Sequence, residues 1–272
     1  MAINEELTRI KNAKEAIKTS IEAKGVTVGD GTIDTYASKI DEIQDGVDIN
    51  EYYDLTKKSN GNVTKYIKNI PLIDTSDYTS MRSMFSGYSS LATIPLLNTS
   101  NVTDMYFMFA NCSSLTTIPK LDTSKVTNIA QMFNFCSSLT TIPQIDTSKV
   151  SSIFYMFNGC TSLIEIPQLD TSSVTNIDSI IYNCSNVTTL GGFINLGKAY
   201  LTTQSANNSA YTLNLSYSNN LTHDSLMNVI NNLYDIATAG VQPQQLVLGS
   251  TNLAKLTEDE IALATNKGWT VS

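Results

Sequence analysis

A period of 24 residues governs this chain. Pro71, Pro95, Pro119, Pro143 and Pro167 keep that spacing, as do Cys112, Cys136, Cys160 and Cys184. Met-Phe recurs at Met84-Phe85, Met108-Phe109, Met132-Phe133 and Met156-Phe157. Asp-Thr-Ser begins at Asp74, Asp122, Asp146 and Asp170, with Asn98 in the remaining place. A fixed period of this size describes stacked similar units, none of which buries its apolar face alone. The conspicuous residues are therefore rungs of ladders before they are candidates for chemistry.

One copy shows the physics. Met105, Met108, Phe109 and Cys112 fall at i, i+3, i+4, i+7, which predicts a helix of about two turns with these residues inward. Thr103, and Thr127, Ser151 and Thr175 at the same place, are competent to cap it. Residues 115–118 read as a short strand stopped by Pro119, which has no amide to donate. Asp122-Thr123-Ser124 turns the chain through side-chain to backbone bonds. An Asp-to-backbone ladder is the expected answer to polar groups left open between copies. No metal is expected, because each turn offers one carboxylate and calcium takes six to eight oxygens. The expected fold is an α/β solenoid of 24-residue coils, each a short strand plus a short helix.

The cysteines read as buried free thiols. Equivalent residues of stacked copies stand about 4.8 Å apart with parallel Cβ vectors, and a disulfide needs converging ones. Zinc needs four ligands meeting at a point, not a line.

The net charge of −8 argues against nucleic acid or anionic membranes as partners. No apolar run is long enough for a membrane span, so no membrane insertion is expected. The first 21 residues are charged and amphipathic, unlike a secretion signal.

Three segments are expected: residues 1–46, 47–190 and 191–272. In the first, Ile3, Leu7, Ile10, Lys14, Ile17 and Ile21 alternate spacings of four and three. That is a heptad seam with one lysine inside it. It reads either as a helix packed on its own chain or as a short coiled coil, a homotrimer being the oligomer it suits. A second amphipathic helix carries Ile33, Tyr36, Ala37, Ile40 and Ile43. In the last segment, 213–215 and 246–248 read as equivalent strands. Thr222 opens a helix with Leu226, Val229, Ile230, Leu233 and Ile236 inward. Thr257 and Glu260 form a capping box before Ile261, Leu263 and Ala264, and 269–271 is a final strand.

No catalytic constellation emerges, and neither an enzyme activity nor a cofactor is expected. The only histidine, His223, follows a cap residue and reads as a solvated first-turn side chain. What varies between copies is more informative. One outward column reads Arg82, Tyr106, Ala130, Phe154, Asp178. The next reads Ser83, Phe107, Gln131, Tyr155, Ser179, and a third reads Gly87, Asn111, Phe135, Gly159, Asn183. Tyr106, Phe107, Phe135, Phe154 and Tyr155 are therefore the candidate ligand-binding residues, as an aromatic strip that is either exposed and suited to sugar rings or a protein partner, or covered by a terminal segment or another subunit.

The segment Val102-Thr-x-Met105-x-x-Met108-Phe109-x-x-Cys112-Ser-Ser-Leu115, repeated over about residues 71–190, resembles the BspA-like leucine-rich repeats of bacterial surface proteins. The fifth copy departs from it, with Ile180-Ile181 for Met-Phe and Val187 for Leu. The resemblance implies a leucine-rich-repeat solenoid associated with adhesion. Residues 191–272 resemble longer, helix-containing leucine-rich repeats acting as a cap. Residues 1–46, through Ala16-Ile17, Ile21, Lys24-Gly25-Val26-Thr27-Val28 and Gly31-Thr32-Ile33, look like the attachment segment of phage tail-fibre and baseplate proteins. Together these imply a non-enzymatic phage or prophage structural protein that binds a host-surface glycan or protein, held to other virion proteins by its N-terminal helices. The alternatives are a bacterial BspA-like surface adhesin and a phage head fibre or decoration protein. The implied location is the virion, or else the bacterial surface.

Overall fold

The link between successive copies is made amide by amide. The computed structural model describes residues 70, 73–199, 201 and 211–272. Over residues 105–111, alternate amides donate to the following copy. Met105 N–H reaches the Asn128 carbonyl at 2.9 Å, Phe107 reaches Ala130 at 3.1 Å, Phe109 reaches Met132 at 2.9 Å and Asn111 reaches Asn134 at 2.7 Å. The intervening amides close tight turns inside the copy, Met108 to Met105, Ala110 to Phe107 and Cys112 to Phe109, each at 3.1 Å. The same division holds in the first and fourth copies, where Met81, Ser83, Phe85 and Gly87, and then Ile153, Tyr155, Phe157 and Gly159, donate onward.

This corrects the expected helix at Met105, Met108, Phe109 and Cys112. An α-helix commits every interior amide to the carbonyl four residues back, and none would be left to bind the next copy. Successive turns of this size still carry those four side chains inward, so the apolar spacing is kept while the helix is not.

The alternation depends on left-handed backbone. Ser83, Phe107, Gln131, Tyr155 and Ser179 have φ of 57°, 59°, 58°, 52° and 53°. Four residues on, Gly87, Asn111, Phe135, Gly159 and Asn183 have φ of 85°, 62°, 59°, 73° and 56°. In the first four copies each of these residues donates its amide to the next copy. A side-chain-bearing residue in this region costs roughly 1–3 kcal/mol and persists only where its surroundings over-determine it. Here the inter-copy bond fixes it.

The expected caps are also corrected. Thr103, Thr127, Ser151 and Thr175 each donate both amide and hydroxyl to the equivalent carbonyl of the preceding copy, with amide distances of 2.8–3.0 Å. Their neighbours Ser80, Asp104, Asn128, Ser152 and Asn176 form a line of parallel bridges. The expected aspartate ladder is likewise not what joins the turns. Each aspartate serves its own copy: Asp122 Oδ1 accepts from the Ser124 amide at 3.0 Å and hydroxyl at 2.7 Å. The buried threonine beside it crosses between copies. Thr99 Oγ1 donates to the Asp122 carbonyl at 2.9 Å and accepts from the Asp122 amide at 2.8 Å. Thr75 does the same with Asn98.

The strand side is sparser than expected. At 115–118 one amide per copy links to its predecessor, Thr116 to Ala92 at 3.2 Å and Thr140 to Thr116 at 3.1 Å. Paired strands form only towards the end of the series. β1 (Glu165–Ile166) runs parallel to β3 (Thr189–Leu190), and β2 (Leu169–Asp170) runs parallel to β4 (Phe193–Ile194).

Between the turns and the strand side lies the core. Val102, Met105, Met108, Phe109, Cys112 and Leu115 are fully buried, and so are their equivalents in the next two copies. Phe85, Phe109, Phe133 and Phe157 stack ring on ring at 5.5, 5.7 and 5.8 Å, nearly parallel, within the range where offset aromatic stacking is favourable. The cysteines are free and buried. Cys112, Cys136 and Cys160 each donate Sγ–H at 3.1 Å to the carbonyl of Phe85, Phe109 and Phe133 one copy back. Burial pushes the Cys112 and Cys184 thiols up to about 12, and Cys136 and Cys160 well above the ordinary thiol range.

The C-terminal part stacks on the last copy. β5 (Thr212–Asn214), β6 (Gln244–Val247) and β7 (Trp269–Val271) form a parallel sheet in that order, with Leu213 opposite Leu246. α1 (His223–Asn232) is capped by Thr222, whose hydroxyl accepts from the Ser225 amide at 3.2 Å. Its buried Ser225 hydroxyl bridges the Thr188 carbonyl and the Leu190 amide. α1 therefore packs on β3 and β4. α2 (Gly249–Leu253) is short, and α3 (Glu258–Asn266) opens with a complete capping box of Thr257 and Glu260. Ala264 faces inward as expected, but Leu263 is 43% exposed, because it lies about 100° around the helix from Ala264. The seam residues Ile3, Leu7, Ile10, Lys14, Ile17 and Ile21 lie outside the described residues.

Two outcomes follow. Thr99→Val keeps the shape but strands the Asp122 amide and carbonyl, and should cost about 1–3 kcal/mol in urea unfolding; a cost near zero would show that the threonines do not join the copies. The native chain should leave its thiols unreacted with a disulfide reagent at pH 8 and expose all four on unfolding; fast native labelling would contradict the buried ladder.

Candidate binding face

The turn side of the stack carries the aromatic residues singled out by the sequence. Tyr106 and Phe107 pair at 4.4 Å, and Phe154 and Tyr155 pair edge-on at 4.2 Å. All four are half-buried. The Arg82 guanidinium lies 4.0 Å over the Tyr106 ring, with Asp104 3.5 Å away. The copy between the two pairs contributes buried Ala130 and half-buried Gln131. Among the described residues no ring contact joins one pair to the other. The structure thus arranges these residues as two separate pairs.

Phe135 stands apart. It is 49% exposed, and its ring lies directly over Gly159, where an added Cβ would come within 2.5 Å of the ring. Beneath this surface runs a line of amides. Asn158 Nδ2 donates to Asn134 Oδ1 at 2.8 Å, Asn134 Nδ2 donates to Gln131 Oε1 at 3.1 Å, and Gln131 Nε2 donates to the Tyr106 hydroxyl at 3.3 Å. The line ties three copies together and fixes the floor under the rings.

Two exposed aromatics escaped the sequence reading. Tyr182 and Tyr217 are 41% and 52% exposed and pair at 4.4 Å. Tyr182 occupies a column otherwise filled by Ser86, Ala110, Asn134 and Asn158. One aromatic in a column of small residues was the available signal. Tyr217 lies outside the 24-residue copies, so no column pointed to it.

His223 is exposed but not solitary. Its Nε2 lies 2.9 Å from Glu260 Oε1 and its Nδ1 lies 3.4 Å from Asp224 Oδ1. Glu260 Oε2 also accepts from the Thr257 amide at 2.8 Å. The imidazole therefore joins the first turn of α1 to the first turn of α3. The carboxylates of Asp74, Asp122 and Asp146 are each held by the serine two residues on, which lowers them below the ordinary carboxylate range. Among the described residues no group of three or more His, Cys, Asp or Glu side chains is placed to hold a metal ion.

The Glu260 hydrogen bond, then that of Asp224, raises His223 above its ordinary value, while the Thr257 amide and then His223 lower Glu260. The histidine's contribution is full below its unfolded value, near 6.5, and is lost as pH rises through the raised folded value. The glutamate's is full above its unfolded value and is lost as pH falls through the depressed folded one. The contact is complete between those two folded values. NMR titration should place His223 above 6.5 in the native chain and nearer 6.5 in Glu260→Gln; identical midpoints would show that the two side chains do not meet.

Comparison with known proteins gives one family and one solved structure. No curated protein matches the chain. A crystal structure of a T. pallidum leucine-rich-repeat protein is similar over 70% of this chain and 77% of that one, at 18% identity and a TM-score of 0.42. The model of the family described as "Mycoplasma protein of unknown function, DUF285" matches residues 53–164 and, overlapping, 79–193. These matches together span more than half of the sequence, and the chain belongs to that family.

Proposed function

We propose that this chain is a non-enzymatic, BspA-like leucine-rich-repeat protein whose copies form a solenoid that binds a partner at a bacterial surface. The observation that carries this reading is the separation of framework from outward side chains. Most bonds between copies come from the backbone, from buried threonines such as Thr99 and from Thr103 and its equivalents, with few from outward side chains, such as Gln131 to Tyr106. The outward column can then hold Arg82, Tyr106, Ala130, Phe154 and Asp178 on the same backbone. A scaffold that tolerates any side chain on one face is suited to recognition, and its ladder residues are already committed to structure. Aspartates tied to their own serines and a histidine held between two carboxylates fit this better than catalysis.

The family match and the repeat motif favour the surface-adhesin alternative over a phage structural role. The phage reading, whether tail fibre, baseplate or head fibre, rests on residues 1–46. Those residues lie outside both the described part of the structure and the family match. A host-surface glycan or protein remains the proposed partner class, with Tyr106, Phe107, Phe135, Phe154 and Tyr155 as candidate contacts. Trypsin shaving of intact source bacteria separates the two readings. Release of peptides from residues 73–199, with none in purified phage particles, is the expected result. Protection in intact cells together with enrichment in particles would overturn the proposal.

A further inference from the structure

One residue breaks the logic of its column at a cost. The left-handed position filled by Gly87, Asn111, Gly159 and Asn183 is filled by Phe135 in the middle copy. Glycine and asparagine are the residues that tolerate this backbone best, and a bulky side chain there is an outlier. Phe135 is not compensated by burial, since about half of it is exposed. The inter-copy bond from the Phe135 amide fixes this backbone whatever the side chain, so asparagine or glycine would serve at lower cost, and a phenylalanine in their place points to function. Its ring rests on Gly159, where an added side chain would clash with it.

The edge continues past Gly159. The Gly159 amide donates to the Tyr182 carbonyl at 2.9 Å, and the exposed Tyr182 ring pairs with exposed Tyr217. The backbones of Phe135 and Tyr182 thus lie two copies apart, and among the described residues no ring contact joins Phe135 to Tyr182 or Tyr217. Asn111, next to Phe135 in its column, and Asn183, next to Tyr182 in sequence, are both exposed.

We infer that this edge is a carbohydrate-binding site for a neutral glycan chain, with Phe135 and the Tyr182–Tyr217 pair as two stacking platforms and Asn111 and Asn183 as hydroxyl-binding amides. The inference rests on the binding role proposed above and names its ligand class. Separate exposed rings with amides beside them suit the C–H faces and hydroxyls of successive sugars. A protein partner would instead call for a contiguous apolar centre ringed by polar groups, and these rings are spaced apart.

The full chain, Phe135→Asn and Tyr217→Ser are compared on an array of neutral linear oligosaccharides of glucose, galactose, mannose and N-acetylhexosamine, alongside thermal melts. The native chain should bind at least one glycan class. Each variant should lose about tenfold or more in affinity, the worth of one aromatic contact, and Phe135→Asn should melt no lower than the native chain. Native-level binding by both variants would overturn the assignment. A clear fall in melting temperature for Phe135→Asn would make Phe135 a packing residue and overturn it equally. If the native chain binds no glycan on the array while trypsin shaving still finds it on intact cells, the glycan inference fails and the surface role stands. If shaving also finds it protected, that role fails by its own measure.

Discussion

The amide that points along the stack holds the copies together. A copy of 24 residues is too short to bury its own apolar face or to satisfy its own backbone. By sending alternate amides forward from residues 81–87, 105–111 and 153–159, each copy satisfies the carbonyls of the next. The left-handed residues that this geometry requires are a recurring cost. It is offset because the same bonds bring Phe85, Phe109, Phe133 and Phe157 into one continuous stack.

That arrangement explains the division of labour among polar residues. Buried threonine joins copies beside each Asp turn, since a single hydroxyl both donates and accepts, as Thr99 does with Asp122. Aspartate is used where the chain turns within a copy, because its carboxylate accepts from two groups of one serine. Cysteine is used where a small, weakly polar group must sit against a buried carbonyl, as Cys136 does under Phe109 O. None of these roles leaves a reactive group free. On the turn side the backbone is held by its neighbours, and side chains as different as Arg82, Tyr106, Ala130, Phe154 and Asp178 share one column.

The C-terminal part follows the same rule with a different period. Leu213 and Leu246 face each other in β5 and β6, and α1 supplies Ser225 and Asn228 to the open polar groups of Thr188 and Leu190. The stack therefore ends on helices whose own amides are satisfied internally, and the edge of the last copy is covered. His223 and Glu260 tie two of those helices together at their first turns.

The period, the inward columns, the buried thiols and the capping box of Thr257 and Glu260 are all legible in the residues. Each follows from side-chain type and spacing: an apolar residue recurring at a fixed place is buried whatever the backbone does around it. Only the tertiary structure decided that Met105 to Cys112 is a run of tight turns and not a helix. The spacing i, i+3, i+4, i+7 suits both, and the difference lies in where the amides go, which depends on a neighbouring copy that no local window contains. For the same reason the sequence pointed to Thr103 as a cap and to aspartate as the cross-link, where the stacked copies use Thr103 and Thr99 to reach one another. It also joined five aromatic side chains into a single strip. Stacking separated two half-buried pairs from Phe135, laid its ring on Gly159 and paired Tyr182 with Tyr217, because contacts between copies are set by the register of the stack and not by order along the chain.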